Sequence, residues 1–192
     1  MKSIKDNISN TIIIKNSKFI CHLYKVDDIE EINNYLELIN KEYHDATHNC
    51  YAYICGPSKK CSDNGEPGGT AGMPMLNVLE MNELDHVLAV VTRYFGGTKL
   101  GAGGLVRAYT GSVTEALDKT SIIELSRGKL IKIEFTYDNI KTVDHILKDI
   151  EVIDKIFDTN ITYTIKIKDN SSILDELSSK IITYSIIKEI LI

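Results

Sequence analysis

Hydrophobic and polar positions along the chain alternate in two ways, with period two and with helical spacing, and the changes between them divide it into elements. Thr11 to Lys15 and Lys18 to Lys25 read as two strands joined by a turn at Asn16-Ser17. Asp27-Asp28 supplies a helix start, and Ile29, Ile32, Leu36 and Ile39 recur at helical spacing as far as Glu42. From Asn49 to Cys55 the pattern returns to period two, with Tyr51 and Tyr53 on one face and Cys50, Ala52 and Ile54 on the other. After Gly56-Pro57 a polar loop is expected, then a short helix from near Pro74 to Met81. His86 to Phe95 is almost continuously apolar, which suits a central strand buried on both faces. A helix is predicted from Gly104 to Lys119, with Leu105, Tyr109, Val113, Ala116 and Leu117 sharing its inner face.

Gly128 marks the expected domain junction, giving domains at 1–126 and 127–192. Ile131, Ile133 and Phe135 alternate with Lys132, Glu134 and Thr136, and Ile140, Val143, Ile146, Leu147 and Ile150 form a helical stripe. Val152 to Phe157 and Ile161 to Lys168 flank a turn at Asp158-Thr159-Asn160, Ile173 to Ile181 carries a second stripe, and Tyr184 to Ile192 closes the sheet. This βαββαβ order is ferredoxin-like, so the chain as a whole is expected to be α+β.

Composition narrows the function. The 192 residues carry 22 basic and 27 acidic side chains, a net charge of -5, so any contact with nucleic acid must come from a local patch. No signal peptide or membrane span is visible, and a cytoplasmic location is expected. Cys21, Cys50, Cys55 and Cys61 do not have zinc-knuckle spacing and are expected as free thiols; no metal and no cofactor is expected. Eleven of the 12 glycines and all three prolines fall between Gly56 and Gly111. Only three of the basic residues are arginine, and two of these, Arg93 and Arg107, flank a glycine cluster, a placement that hints at bidentate anion recognition.

Two long segments carry a resemblance. Residues 62–74, Ser-Asp-Asn-Gly-Glu-Pro-Gly-Gly-Thr-Ala-Gly-Met-Pro, and residues 90–109, from Val90 through Arg93, the glycines Gly96 to Gly104 and Arg107 to Tyr109, resemble the signature of the IMPACT/YigZ family. The strand around His48 resembles the family's histidine-containing strand. The resemblance implies an N-terminal fold similar to the second domain of small-subunit ribosomal protein five, with a small C-terminal domain as in bacterial members. It also implies kinship with eukaryotic regulators of translation, and hence partners such as the ribosome, RNA or a translation factor. It supplies no catalytic residues. Asn64 stands where the family usually shows a second acidic residue, which argues against a role needing paired carboxylates.

Read on their own, these segments hold candidate ligand-binding residues Asp63, Asn64, Glu66, Arg93, Lys99, Gly101, Gly103, Gly104 and Arg107. Asn64-Gly65 is a tight-turn dipeptide, and Thr70 or Pro74 could open the following helix. Gly96 to Gly104 lies between a buried strand and a helix start, where backbone N–H groups can hold an anion, although it matches neither a Walker A loop nor a dinucleotide fingerprint. Arg107 in the first turn opposes the helix dipole, so an acidic partner, Glu66 or Asp63, is expected beside an anion site bordered by Arg107, Arg93 and Lys99. The alternative is a structural loop whose acids hold backbone N–H groups. His48 and Cys50 share a strand face, but neither a metal site nor a nucleophilic pair can be completed from spacing. Three functions remain open: a translation-associated binding protein, an enzyme acting on a nucleotide or phosphorylated small molecule, and a protein-interaction module.

Overall fold

The computed structural model describes residues 1–192, which form two compact units, Met1–Glu124 and Leu125–Ile192. In the first, β1 (Lys2–Ile4) leads to β2 (Ile8–Ile14) and β3 (Ser17–Lys25), then α1 (Ile29–Glu42), β4 (His48–Cys55), β5 (Ser58–Ser62), α2 (Gly72–Met81), β6 (Val87–Tyr94), α3 (Ala102–Leu117) and β7 (Ile122–Glu124). Five strands form one antiparallel sheet in the order β2-β3-β6-β4-β5, and β1 pairs separately with β7.

The alternation in each strand explains the layers. From β4, Cys50, Ala52 and Ile54 pack with α2 and α3 residues such as Met75, Leu79, Leu105 and Tyr109, while Tyr53 and Cys55 pack with Ile32 and Ile39 of α1. The central strand β6 is buried on both faces through Arg93, as its unbroken apolar run requires. Asp28 caps α1: its carboxylate accepts from Glu31 N–H at 2.9 Å, and Glu31 Oε2 in turn accepts from Asp27 N–H at 2.8 Å.

Three local expectations change. The first hairpin turns at Lys15-Asn16, both at positive φ (46° and 65°), and Ser17 already belongs to β3. A type I′ two-residue hairpin turn needs positive φ at both central positions. The polar stretch after Gly56-Pro57 is not a loop but the edge strand β5, paired with β4 from Ser58 to Ser62. Thr70 does not cap α2: its hydroxyl donates to Pro67 O at 2.6 Å, the cap position is Ala71, and Pro74 sits in the first turn, where a missing N–H costs no helical bond.

The second unit contains β8 (Arg127–Phe135), α4 (Ile140–Ile146), β9 (Val152–Phe157), β10 (Ile161–Lys168), α5 (Ile173–Leu177) and β11 (Thr183–Leu191). Its sheet order β11-β8-β10-β9 is antiparallel throughout and ferredoxin-like. Ile131, Ile133 and Phe135 pack under Val143, Leu147 and Leu177, and Lys132 and Glu134 stand opposite Thr164 and Thr162 on the other face. Gly128 lies inside β8, where a Cβ would collide with Ile192 and the Ile167 carbonyl. The chain is thus α+β. No helix is long and apolar enough to cross a membrane.

Candidate functional site

A cleft of about 390 Å³ opens in the first unit where β4, β6, the Glu66 loop and the start of α3 converge. Its walls include His48, Glu66, Arg93, Phe95, Lys99 and Gly101. The floor is a buried polar network. Glu66 Oε1 accepts from Arg93 Nη1 at 2.5 Å and from the Tyr109 hydroxyl at 2.8 Å, and Glu66 and Arg93 are only 8% and 5% exposed. Such a pair persists in a low-dielectric interior only with good geometry and added hydrogen bonds, and Tyr109 supplies one. Phe19 and Phe95 lie 5.4 and 5.6 Å from the Arg93 guanidinium carbon, which adds cation–π support.

The network reaches Cys50, whose thiol lies 3.0 Å from Asp63 O and 3.3 Å from the Tyr109 hydroxyl. Burial pushes the Cys50 thiol up to about 12, reinforced by the Glu66 and Asp63 charges, so it is a neutral hydrogen-bonding group and not a nucleophile. Burial likewise pushes the Tyr109 hydroxyl up, with Cys50 and Glu66 adding to it, so Tyr109 stays protonated and donates.

The loop that presents Glu66 is tied by Asp63. Asp63 Oδ2 accepts from Gly69 N–H at 2.8 Å, and Oδ1 accepts from Ala71 N–H at 3.0 Å and Gly72 N–H at 2.8 Å. Burial works against the carboxylate, but the three N–H donors outweigh it and hold its pKa below the ordinary aspartate value. Asn64 and Gly65 turn the chain with φ of 43° and 86°. Asn64 Oδ1 accepts from Asn49 N–H at 2.9 Å, pinning the loop to β4. His48 Nδ1 donates to Asn64 O at 2.7 Å, which fixes the ring and leaves Nε2 toward Glu66, 3.9 Å from Oε2.

The start of α3 forms the opposite wall. Gly101, at φ 71°, occupies the cap position without a side-chain cap, and no acidic residue lies in the first turn. Leu105 N–H is the first to bond back, to Gly101 O at 2.9 Å, so the N–H groups of Ala102, Gly103 and Gly104 have no helical acceptor. Lys99, Gly101 and Ala102 line the cleft, and Gly103 and Gly104 follow in the first turn of α3. On the β6 side, Arg93 Nε is buried without a hydrogen-bond partner.

Among the residues expected from sequence, Glu66, Arg93, Lys99 and Gly101 therefore meet at one cleft. Arg107 does not join them. It is exposed, it lies over Gly103, and neither Glu66 nor Asp63 is its partner, because Arg93 takes Glu66 and backbone N–H groups take Asp63. Asp63 and Asn64 shape the loop behind the cleft wall. From the sequence, Tyr109 reads only as a core residue and His48 has no assigned role. The signal for Tyr109 was its hydroxyl on an otherwise apolar helix face, since a buried tyrosine hydroxyl needs a partner.

The Impact N-terminal domain family model matches residues 15–117, which contain every residue of the cleft. The chain belongs to the IMPACT family. IMPACT family member YvyE of Bacillus subtilis (strain 168) is 41% identical over 150 residues, covering 77% of this chain and 69% of its own length. An IMPACT family member of Haemophilus influenzae (strain ATCC 51907 / DSM 11121 / KW20 / Rd) is 37% identical over 179 residues, 86% of each protein. A crystal structure described as that of a hypothetical protein matches this IMPACT chain with a TM-score of 0.68 and 28% identity, over 93% of this chain and 89% of that one.

Proposed function

We propose that this chain is a binding protein that takes a phosphate-bearing anion in the cleft at the start of α3, and that it acts on the translation apparatus through RNA or the ribosome. The observation that carries the reading is the uncapped, acid-free start of α3 at Gly101, which lines the same cleft as Lys99 and as Arg93, a buried arginine whose Nε has no hydrogen-bond partner. A helix N-terminus favours negative charge, and Lys99 adds an exposed cation. Phe95, Leu100 and Leu105 give the same cleft an apolar side against which a base can stack. The translation role is the one the IMPACT resemblance implies, and the net charge of -5 means that attraction to RNA is local to this cleft.

A second reading has its own support. A cleft of about 390 Å³ falls within the range of roughly 300–1,000 Å³ usual for small-molecule sites, so a phosphorylated metabolite or a nucleotide fits the same chemistry. Co-sedimentation with ribosomes at moderate and high salt separates the two. Salt-sensitive binding that Lys99→Ala weakens favours the ribosome or RNA. Absence of ribosome binding, together with thermal stabilisation by nucleotides, favours the metabolite.

A further inference from the structure

Anion recognition leaves one pair in the cleft unused. His48 donates its Nδ1 proton to Asn64 O, so the Nε2 lone pair is free when the ring is neutral. Glu66 receives Arg93 and Tyr109 on Oε1 alone, and Oε2 accepts no hydrogen bond. The two acceptors lie 3.9 Å apart, and both residues line the cleft that the start of α3 closes on its other side. Two acceptors at that separation are bridged by a single oxygen carrying two hydrogens, about 2.8 Å from each, which describes a water molecule. The rest of the network holds the pair still: Arg93 and Tyr109 fix one carboxylate oxygen, and the Asn64 carbonyl fixes the imidazole. A ring oriented by a hydrogen bond at Nδ1, with its Nε2 lone pair toward the cleft, can act as a general base on a water in reach.

We propose that His48 is the general base of a phosphate-ester hydrolase activity in this cleft, with Glu66 as a second catalytic residue that holds the attacking water. The proposal rests on the anion reading above, because the phosphoryl group must be held at the start of α3. In the step, a water oxygen held between Nε2 and Oε2 forms a bond to phosphorus while one of its protons passes to His48 Nε2. The P–O bond to the leaving group breaks, and its electron pair stays on the leaving oxygen. The proton on Nε2 then passes to that oxygen or to solvent, which restores the neutral ring. Water and the ester are the only reactants. Glu66 Oε2 stabilises the transient imidazolium, and Lys99, Arg93 and the free N–H groups of α3 receive the charge that builds on the phosphoryl oxygens.

The test uses the full chain with p-nitrophenyl phosphate and bis(p-nitrophenyl) phosphate. Their phenolate leaves without a proton, so the rate reports the base alone. Binding of inorganic phosphate is followed by calorimetry on the same preparations. The expected result is turnover of at least one probe that falls by about 10²-fold or more in His48→Gln with KM little changed, the range typical of general-base removal. Added imidazole restores part of the rate in His48→Ala, which a merely structural role does not allow. Glu66→Gln lowers kcat with KM held, and Lys99→Ala raises KM. A wild type that binds phosphate yet turns over neither probe, or turns over no faster than His48→Gln, overturns the hydrolase and leaves the anion reading standing. A folded wild type that binds no phosphate overturns both.

Discussion

Glu66 and Arg93 meet at 2.5 Å with both side chains almost wholly buried, one from a glycine-rich loop and the other from the central strand of the sheet. The pair joins the two signature segments of the chain, and Tyr109 of α3 completes it from the second of them. The loop, the strand and the helix are thereby held at one point, and the cleft is the space left above it.

Breaking this pair strands a buried charge. Glu66→Met and Arg93→Met are each expected to cost about 3–5 kcal/mol, whereas the double variant carrying both costs less than either alone because no charge is left unpaired. Urea unfolding of the three variants measures this as a double-mutant cycle. A double variant as unstable as the sum of the singles would contradict the account.

Asp63 makes the loop sensitive to acid. Its folded pKa lies below the ordinary value because the N–H groups of Gly69, Ala71 and Gly72 favour the charged form despite burial. The stability it contributes is therefore present above the unfolded aspartate pKa of about 3.9 and is lost as pH falls through the lower folded value. Asp63→Asn should flatten the acid limb of a stability–pH curve and cost about 1–3 kcal/mol near neutral pH through weakened hydrogen bonds to buried N–H groups.

Gly96 and Gly97 are adjacent but should respond differently to alanine. A Cβ on Gly96 would collide with the backbone of Asn16 and Ser17 at the first hairpin, so Gly96→Ala must displace main chain. Gly97 faces open space at φ 83°, so Gly97→Ala meets only the backbone penalty of roughly 1–2 kcal/mol. Thermal melts should rank Gly96→Ala clearly below Gly97→Ala.

Thiol reactivity should follow burial. Cys21, Cys50 and Cys55 are buried and Cys61 is partly exposed, and burial pushes all four thiols up. Alkylation of the native protein at neutral pH should begin at Cys61, with Cys50 modified only on unfolding. Peptide mapping after brief iodoacetamide treatment reads this out.

Periodicity made much of this legible in advance. The unbroken apolar run of β6 and the Leu105, Tyr109 and Val113 face of α3 leave one arrangement, a buried strand under an amphipathic helix, and the second unit shows its βαββαβ order in the same way. What stayed hidden has a common cause. β5, with the sequence Ser-Lys-Lys-Cys-Ser, is an edge strand held by backbone pairing to β4, so it carries no hydrophobic signature. The choice between Arg93 and Arg107 as the partner of Glu66 depends on which side chain the tertiary fold buries, and spacing does not carry that. Lys15 at positive φ is unfavourable locally and is imposed by the hairpin, so Asn16 alone pointed to the turn.

Anion recognition at the start of α3 underlies both readings of the cleft. The direct measurement is a ¹⁵N–¹H NMR titration of the full chain with inorganic phosphate. Saturable shifts at the amides of Ala102, Gly103 and Gly104 and at Arg93 Nε–H, weakened by added salt and by Lys99→Ala but unchanged in Arg107→Ala, are the result predicted here. Shifts confined to Arg107 or to the second unit, or no saturable shift at all, would contradict it.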